Sequence, residues 1–169
     1  HVLEGEADAI GEIGRPHWPV DENLWTRSNE LMAYGTELAQ EAGCPVVLHT
    51  ETPSPGLFED LATLADALAY PRGKMVKHYA DASVLPEENL GIFPSVIAKG
   101  DLVREAASKG SRFLMETDYL DDPRRPGAVL GPNTVPKRTA ALLREGLLNR
   151  EDARRIHEEN VIELYGDRP

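Results

Sequence analysis

Short apolar runs alternate along this chain with longer stretches in which apolar residues recur at helical spacing. The runs Asp8 to Gly14, Val46-Val47-Leu48-His49, Lys74-Met75-Val76-Lys77-His78, Gly91-Ile92-Phe93-Pro94 and Arg112 to Thr117 are too short and too continuously apolar for amphipathic helices. They read as strands buried on both faces, the signature of a parallel sheet. Between them, Leu24, Leu31, Tyr34, Leu38 and Ala39 predict the apolar face of a helix capped by Asp21 and ended near Gly43. A second helix is expected through Leu57, Leu61, Leu64, Ala65 and Leu68, stopped by Pro71, Arg72 and Gly73. A third runs from about Lys99 to Lys109. Two more, Thr134 to Glu145 and Arg150 to Leu164, close the chain, with Asn149 as cap of the last. Strand and helix therefore alternate, which predicts an α/β fold of the (β/α)8 TIM-barrel type.

Four of the five strand candidates end on or near a side chain able to bind a metal: Glu12, His49, His78 and, after Phe113-Leu114-Met115-Glu116-Thr117, Asp118. The short fourth strand carries no obvious ligand. In barrels of this kind functional side chains gather where the strands end. The gaps of 37, 29 and 40 residues between the four each fit one or two βα units, since a barrel of roughly 250 residues gives about 30 per unit. By the same arithmetic 169 residues supply about the C-terminal five units. One domain, 1–169, is expected. The chain opens at His1 without an initiator Met, which suggests a partial chain.

Two histidines and two carboxylates suffice for a hydrolytic metal site, with one or two divalent ions and Zn²⁺, Mn²⁺, Fe²⁺ and Mg²⁺ all open. Glu12 can bridge two ions, and Asp118 can bind one while orienting or deprotonating the attacking water. The loops after the strand ends, Arg15 to Val20 and Thr50 to Gly56, are irregular. A longer one, Asp121 to Pro136, holds four prolines and two glycines and reads as a lid or substrate wall.

Composition narrows the partners. A net charge of −11 argues against a broad basic footprint for nucleic acid. A single cysteine, Cys44, excludes an internal disulfide and leaves the cytosol as the default compartment. No apolar stretch approaches membrane-spanning length, and no signal-peptide pattern opens the chain. Oligomeric state is not legible.

The ordered set Ala9-Ile10-Gly11-Glu12-Ile13-Gly14, Pro45-Val46-Val47-Leu48-His49-Thr50, Val76-Lys77-His78 and Leu114-Met115-Glu116-Thr117-Asp118 resembles the successive motifs of the TatD-type metal-dependent hydrolases, which are amidohydrolase-like barrels. The closing Glu159-Asn160-Val161-Ile162-Glu163-Leu164-Tyr165-Gly166 is similar to that family's last helix. The resemblance implies that Glu12, His49, His78 and Asp118 are metal ligands and that DNA ends are a substrate, as for a 3'-5' exodeoxyribonuclease. It also implies a His-x-His pair after the first barrel strand. His1 and His17 do not supply that spacing, so the pair is expected upstream of His1, or the site is a reduced one. Gly14-Arg15-Pro16-His17-Trp18 and the arginines after Asp118 look more like an archaeal-type branch. Arg15, Lys77, Arg124 and Arg125 are candidates to bind a phosphate or carboxylate of the substrate, and His17 is a candidate to touch metal or substrate. Three functions stay open: a nuclease acting on chain ends, a hydrolase of a small ester, amide or lactone, and a non-catalytic interaction module.

Overall fold

The computed structural model describes residues 4–122, 124 and 129–167. Five strands, β1 (Ile10–Gly14), β2 (Val46–His49), β3 (Met75–Lys77), β4 (Phe93–Ile97) and β5 (Leu114–Glu116), form one sheet in the order β1-β2-β3-β4-β5. Every neighbouring pair is parallel. Helices fill the crossovers: α1 (Glu22–Ala42), α2 (Pro55–Ala67), the single turn α3 (Pro86–Asn89) and α4 (Gly100–Lys109). After β5 come α5 (Thr134–Glu145), α6 (Arg150–Arg154) and α7 (Asn160–Tyr165), the last two joined by a wide π-type turn at Arg155–Glu159. This is a run of consecutive βα units. Among the described residues β1 and β5 are the sheet's edges, and an eight-stranded closure is not seen.

Close approach of β1 to β2 explains the glycines in the first strand. A Cβ on Gly14 would stand 1.8 Å from the His49 carbonyl oxygen, so no side chain fits there. Asp21 accepts from the Leu24 amide at the start of α1, and Gly43 ends that helix in the left-handed conformation, both at the expected positions.

The face of α1 departs from expectation. Its buried residues are Met32, Gly35, Thr36 and Ala39, whereas Leu24, Leu31 and Tyr34 are exposed. The cause is the tight packing of α1 on β1: a Cβ on Gly35 would lie 2.4 Å from Ile13 Cδ1. Small residues must therefore face the sheet, and the bulky ones are left outside. The fourth strand is likewise displaced, to Phe93–Ile97 from the expected Gly91–Pro94. Leu90 and Gly91 adopt positive φ, and Asn89 accepts from the Gly91 amide, so these residues form the turn before the strand.

Among the described residues, three apolar clusters pack the helices against the sheet, the smallest setting Leu164 of α7 on Val76 and Phe93. One joins Met32, Ala39, Val46, Leu48, Phe58, Leu61 and Met75. Another joins Val96, Val103, Ala106, Phe113, Leu142, Leu148 and Ile156. Asn160, fully buried, donates from Nδ2 to the carbonyls of Ser111 (2.8 Å) and Phe113 (2.9 Å) and ties the closing helix to the entry of β5. Lys74 donates to the Glu163 and Leu164 carbonyls at the end of α7. Both anchors leave the opposite, C-terminal ends of the strands free to carry the site.

Candidate metal centre

Glu12 projects from β1, His49 ends β2 and His78 follows β3. Ligand atoms of these three side chains lie within 4.8 Å of one another. Glu12 links the pair of imidazoles: Oε2 is 3.3 Å from His49 Nδ1, and Oε1 is 3.7 Å from His78 Nδ1. The two rings stack, with centroids 5.3 Å apart. On the far side His49 Nε2 meets His17 Nδ1 at 3.1 Å, so the loop histidine stands against the centre.

His78 is fixed by a residue to which the sequence reading gave no role. Glu116, on β5, has Oε1 at 3.0 Å from His78 Nδ1 and accepts from the Tyr79 amide at 3.0 Å. Its other oxygen accepts from the Ser95 hydroxyl of β4. The fourth strand thus does serve the site, through Ser95. Burial works against a charged His78, but the hydrogen bond and charge of Glu116, then the charges of Glu12 and Asp118, outweigh it and raise the pKa. For Glu116 burial also opposes ionisation, and His78, Ser95 and the Tyr79 amide overcome it, holding the carboxyl below its ordinary range. Glu116 is the last residue of β5, a carboxylate closing an apolar strand, which is the signal that could have drawn attention to it from sequence.

With Nδ1 engaged by Glu116, the other nitrogen of His78 points into the site. Nε2 is buried and has no hydrogen-bond partner among the described residues. Its nearest carboxylate is Asp118, with Oδ1 at 4.0 Å. A buried polar atom left unpaired requires an explanation, and an imidazole oriented by a carboxylate on its opposite nitrogen is how metal-binding histidines are held. Together with the oxygen and nitrogen donors of Glu12 and His49, the group fits a divalent transition metal. Asp118 is outside the tight cluster, exposed and in the left-handed conformation at φ 49°, at the rim.

A cavity of about 440 Å³ opens beside these groups, lined by His17, His49, Thr50, Glu51, Lys77, His78, Tyr79, Asp81 and Asp118 among others. Lys77 is buried, and its ammonium donates to the His78 carbonyl. Burial pushes its pKa down to about 8 against the nearby charges of Glu116, Glu51, Asp81 and Glu12.

The remaining cationic candidates lie elsewhere. Arg15 is buried away from the cavity, over the Trp25 ring, with Nε and Nη2 on Glu51 (2.9 and 2.6 Å), Nη2 also on Asp60 (3.0 Å) and Nη1 on Asn29 (3.2 Å). Its fork already holds carboxylates of this chain, so it braces the loop after β2. Arg124 is exposed and pairs with Asp122. Arg125 lies outside the described residues, as does part of the 121–136 loop.

The sequence profile described as TatD related DNase matches residues 2–166. The chain belongs to the TatD-related DNase family. A relative, the uncharacterized protein MJ1127 of Methanocaldococcus jannaschii, is 42% identical over 156 residues, covering 92% of this chain and 55% of its own length. This TatD-related chain thus spans about half the length of that relative. Its fold is similar to part of the organophosphorus hydrolase from Deinococcus radiodurans (TM-score 0.65, 17% identity, 95% of this chain and 56% of that one). The phosphotriesterase homology protein from Escherichia coli, solved with phosphate in its active site, is similar to the same degree (TM-score 0.67, 15% identity, 94% and 59%). Among the described residues, no helix of the chain is long and apolar enough to cross a membrane.

Proposed function

We propose that this chain carries the ligand set of a metal-dependent hydrolase acting on a small ester, phosphoester or lactone. The observation that supports this most is His78: buried, held at Nδ1 by Glu116, clustered with Glu12 and His49, and with an unpaired Nε2 whose nearest carboxylate is Asp118.

Glu12, His49 and His78 would hold the ion, with Asp118 as a further ligand. A bound divalent metal supplies Lewis acidity, bringing the pKa of water toward about 7 and polarising a carbonyl or phosphoryl oxygen. Glu116 keeps the His78 ring from turning, through Nδ1, and in the neutral ring draws the proton to that nitrogen. Asp118, exposed at the rim 4.0 Å from Nε2, takes the proton of the attacking water on a carboxylate oxygen. His17 meets the outer nitrogen of His49 and would position that ring.

Three observations favour a small substrate. A 440 Å³ cavity is the size of a small-molecule site. The charge of −11 repels a polyanion. Proteins sharing the fold are named organophosphorus hydrolase and PTE-like lactonase. A second reading, trimming of DNA ends, is favoured by the family's description. Assaying the full-length, metal-loaded protein on p-nitrophenyl acetate, a p-nitrophenyl phosphodiester, a γ-lactone and 3'-ended DNA separates them. Turnover of one of the small esters well above that of DNA is expected; cleavage of DNA alone would reverse the choice.

A further inference from the structure

The metal centre leaves two buried polar groups on the same cavity wall without work to do. Lys77 is 1% exposed, and its ammonium donates to the carbonyl of the next residue, His78. The acidic groups around it, Glu116, Glu51, Asp81 and Glu12, act on it only through space. An ammonium has three donors and a full charge, and burying one without a bonded counter-charge is costly. Thr50 is the second group: its hydroxyl is buried and has no hydrogen-bond partner among the described residues.

Both residues line the 440 Å³ cavity next to His49 and His78. They follow from the register of the sheet, since Thr50 comes straight after β2 and Lys77 ends β3, its neighbour. The acidic wall does not cancel them. Glu51 is engaged by Arg15 at 2.6 Å, a cation it shares with Asp60, and Asp118 belongs to the ligand set proposed above, which leaves Asp81. The backbone that shapes the wall is held in an unfavourable state: Tyr79, Asp81 and Asp118, all lining the cavity, have φ of 54°, 47° and 49°. Left-handed non-glycine residues gathered at one place mark a wall kept for its shape.

We infer that Lys77 and Thr50 form an oxyanion-binding subsite beside the metal centre, so that the substrate is an ester carrying an anionic phosphate or carboxylate oxygen. An ammonium and a hydroxyl donor complement such an oxygen, and its charge relieves the buried cation. Calling the anion a substrate rests on the hydrolase reading; the subsite itself does not require turnover.

The test is calorimetric titration of the full-length, metal-loaded protein with inorganic phosphate, then with acetate, in the wild type, Lys77→Met and Thr50→Val. Metal content and melting temperature are measured for each. Lys77→Met keeps the side chain's bulk and removes a buried charge, so the fold is expected to persist. The expected result is a phosphate Kd raised about tenfold or more in Lys77→Met and about threefold in Thr50→Val, at unchanged metal content. An equal effect on acetate would make the anion a carboxylate or a phosphate; an effect on phosphate alone would make it a phosphoester. Phosphate and acetate affinities unchanged in both variants would overturn the inference. So would loss of metal together with the anion, because the two side chains would then support the ligands and not an anion. A protein that hydrolyses none of the esters yet shows the expected pattern sinks the hydrolase reading and leaves the subsite standing.

Discussion

The two halves of the proposed metal centre are built differently. On the β3–β5 side, the His78 side chain is 5% exposed and Glu116 grips it while accepting from Tyr79 and Ser95 of the neighbouring segments. On the β1–β2 side, the His49 side chain is 42% exposed and, besides stacking on His78, meets Glu12 and the loop histidine His17. The first half is set by the sheet before any ligand arrives, whereas the second is open and adjustable. Orientation at the inner half is therefore coupled to stability, and at the outer half it is not.

Replacing His78 should have the largest effect. His78→Ala removes a ligand and leaves Glu116 buried without its partner, for a loss of about 3 kcal/mol in stability together with all metal. Urea unfolding and metal analysis of the same sample would show both. His49→Ala should abolish metal binding equally, yet shift stability by less than about 1 kcal/mol, as expected of an exposed pair. If the two variants unfolded alike, the asymmetry would be refuted. Next in size is Glu116→Gln. It retains the shape but not the charge, and should weaken metal affinity by about 10- to 100-fold, read by competition with a chelator.

These contrasts also explain what the sequence made legible. Strand ends carrying Glu12, His49 and His78 stood out because buried parallel strands are short and apolar, so a polar terminus is conspicuous. Glu116 and Ser95 were passed over for lack of a visible partner: Glu116 is explained by His78, which follows β3, and Ser95 by Glu116, on the neighbouring strand. Arg15 drew attention as a free cation because its carboxylates, Glu51 and Asp60, are 36 and 45 residues away. The exposed face of α1 was misassigned because hydrophobicity alone does not reveal that Gly35 must clear Ile13.

A pair remote from the centre gives the scale for the smallest effect. Lys109 holds Glu88 below the ordinary carboxylate range through a 2.8 Å contact. Glu88 then binds fewer protons folded than unfolded, so its contribution is present above about pH 4.5, the unperturbed value, and is lost as pH falls through the lower folded value. Glu88→Gln can still accept from the Leu85 amide, and should cost about 0.5 kcal/mol at neutral pH. Melting curves from pH 3 to 7 should lose that acid-side increment while metal content stays as in the wild type.

The most direct test is metal content per chain in full-length protein purified without added metal or chelator, measured by plasma mass spectrometry beside His78→Ala. One to two equivalents of a divalent metal in the wild type and none in the variant is the predicted result. Wild-type protein that carries no metal and takes up neither added Zn²⁺ nor Mn²⁺ would contradict it.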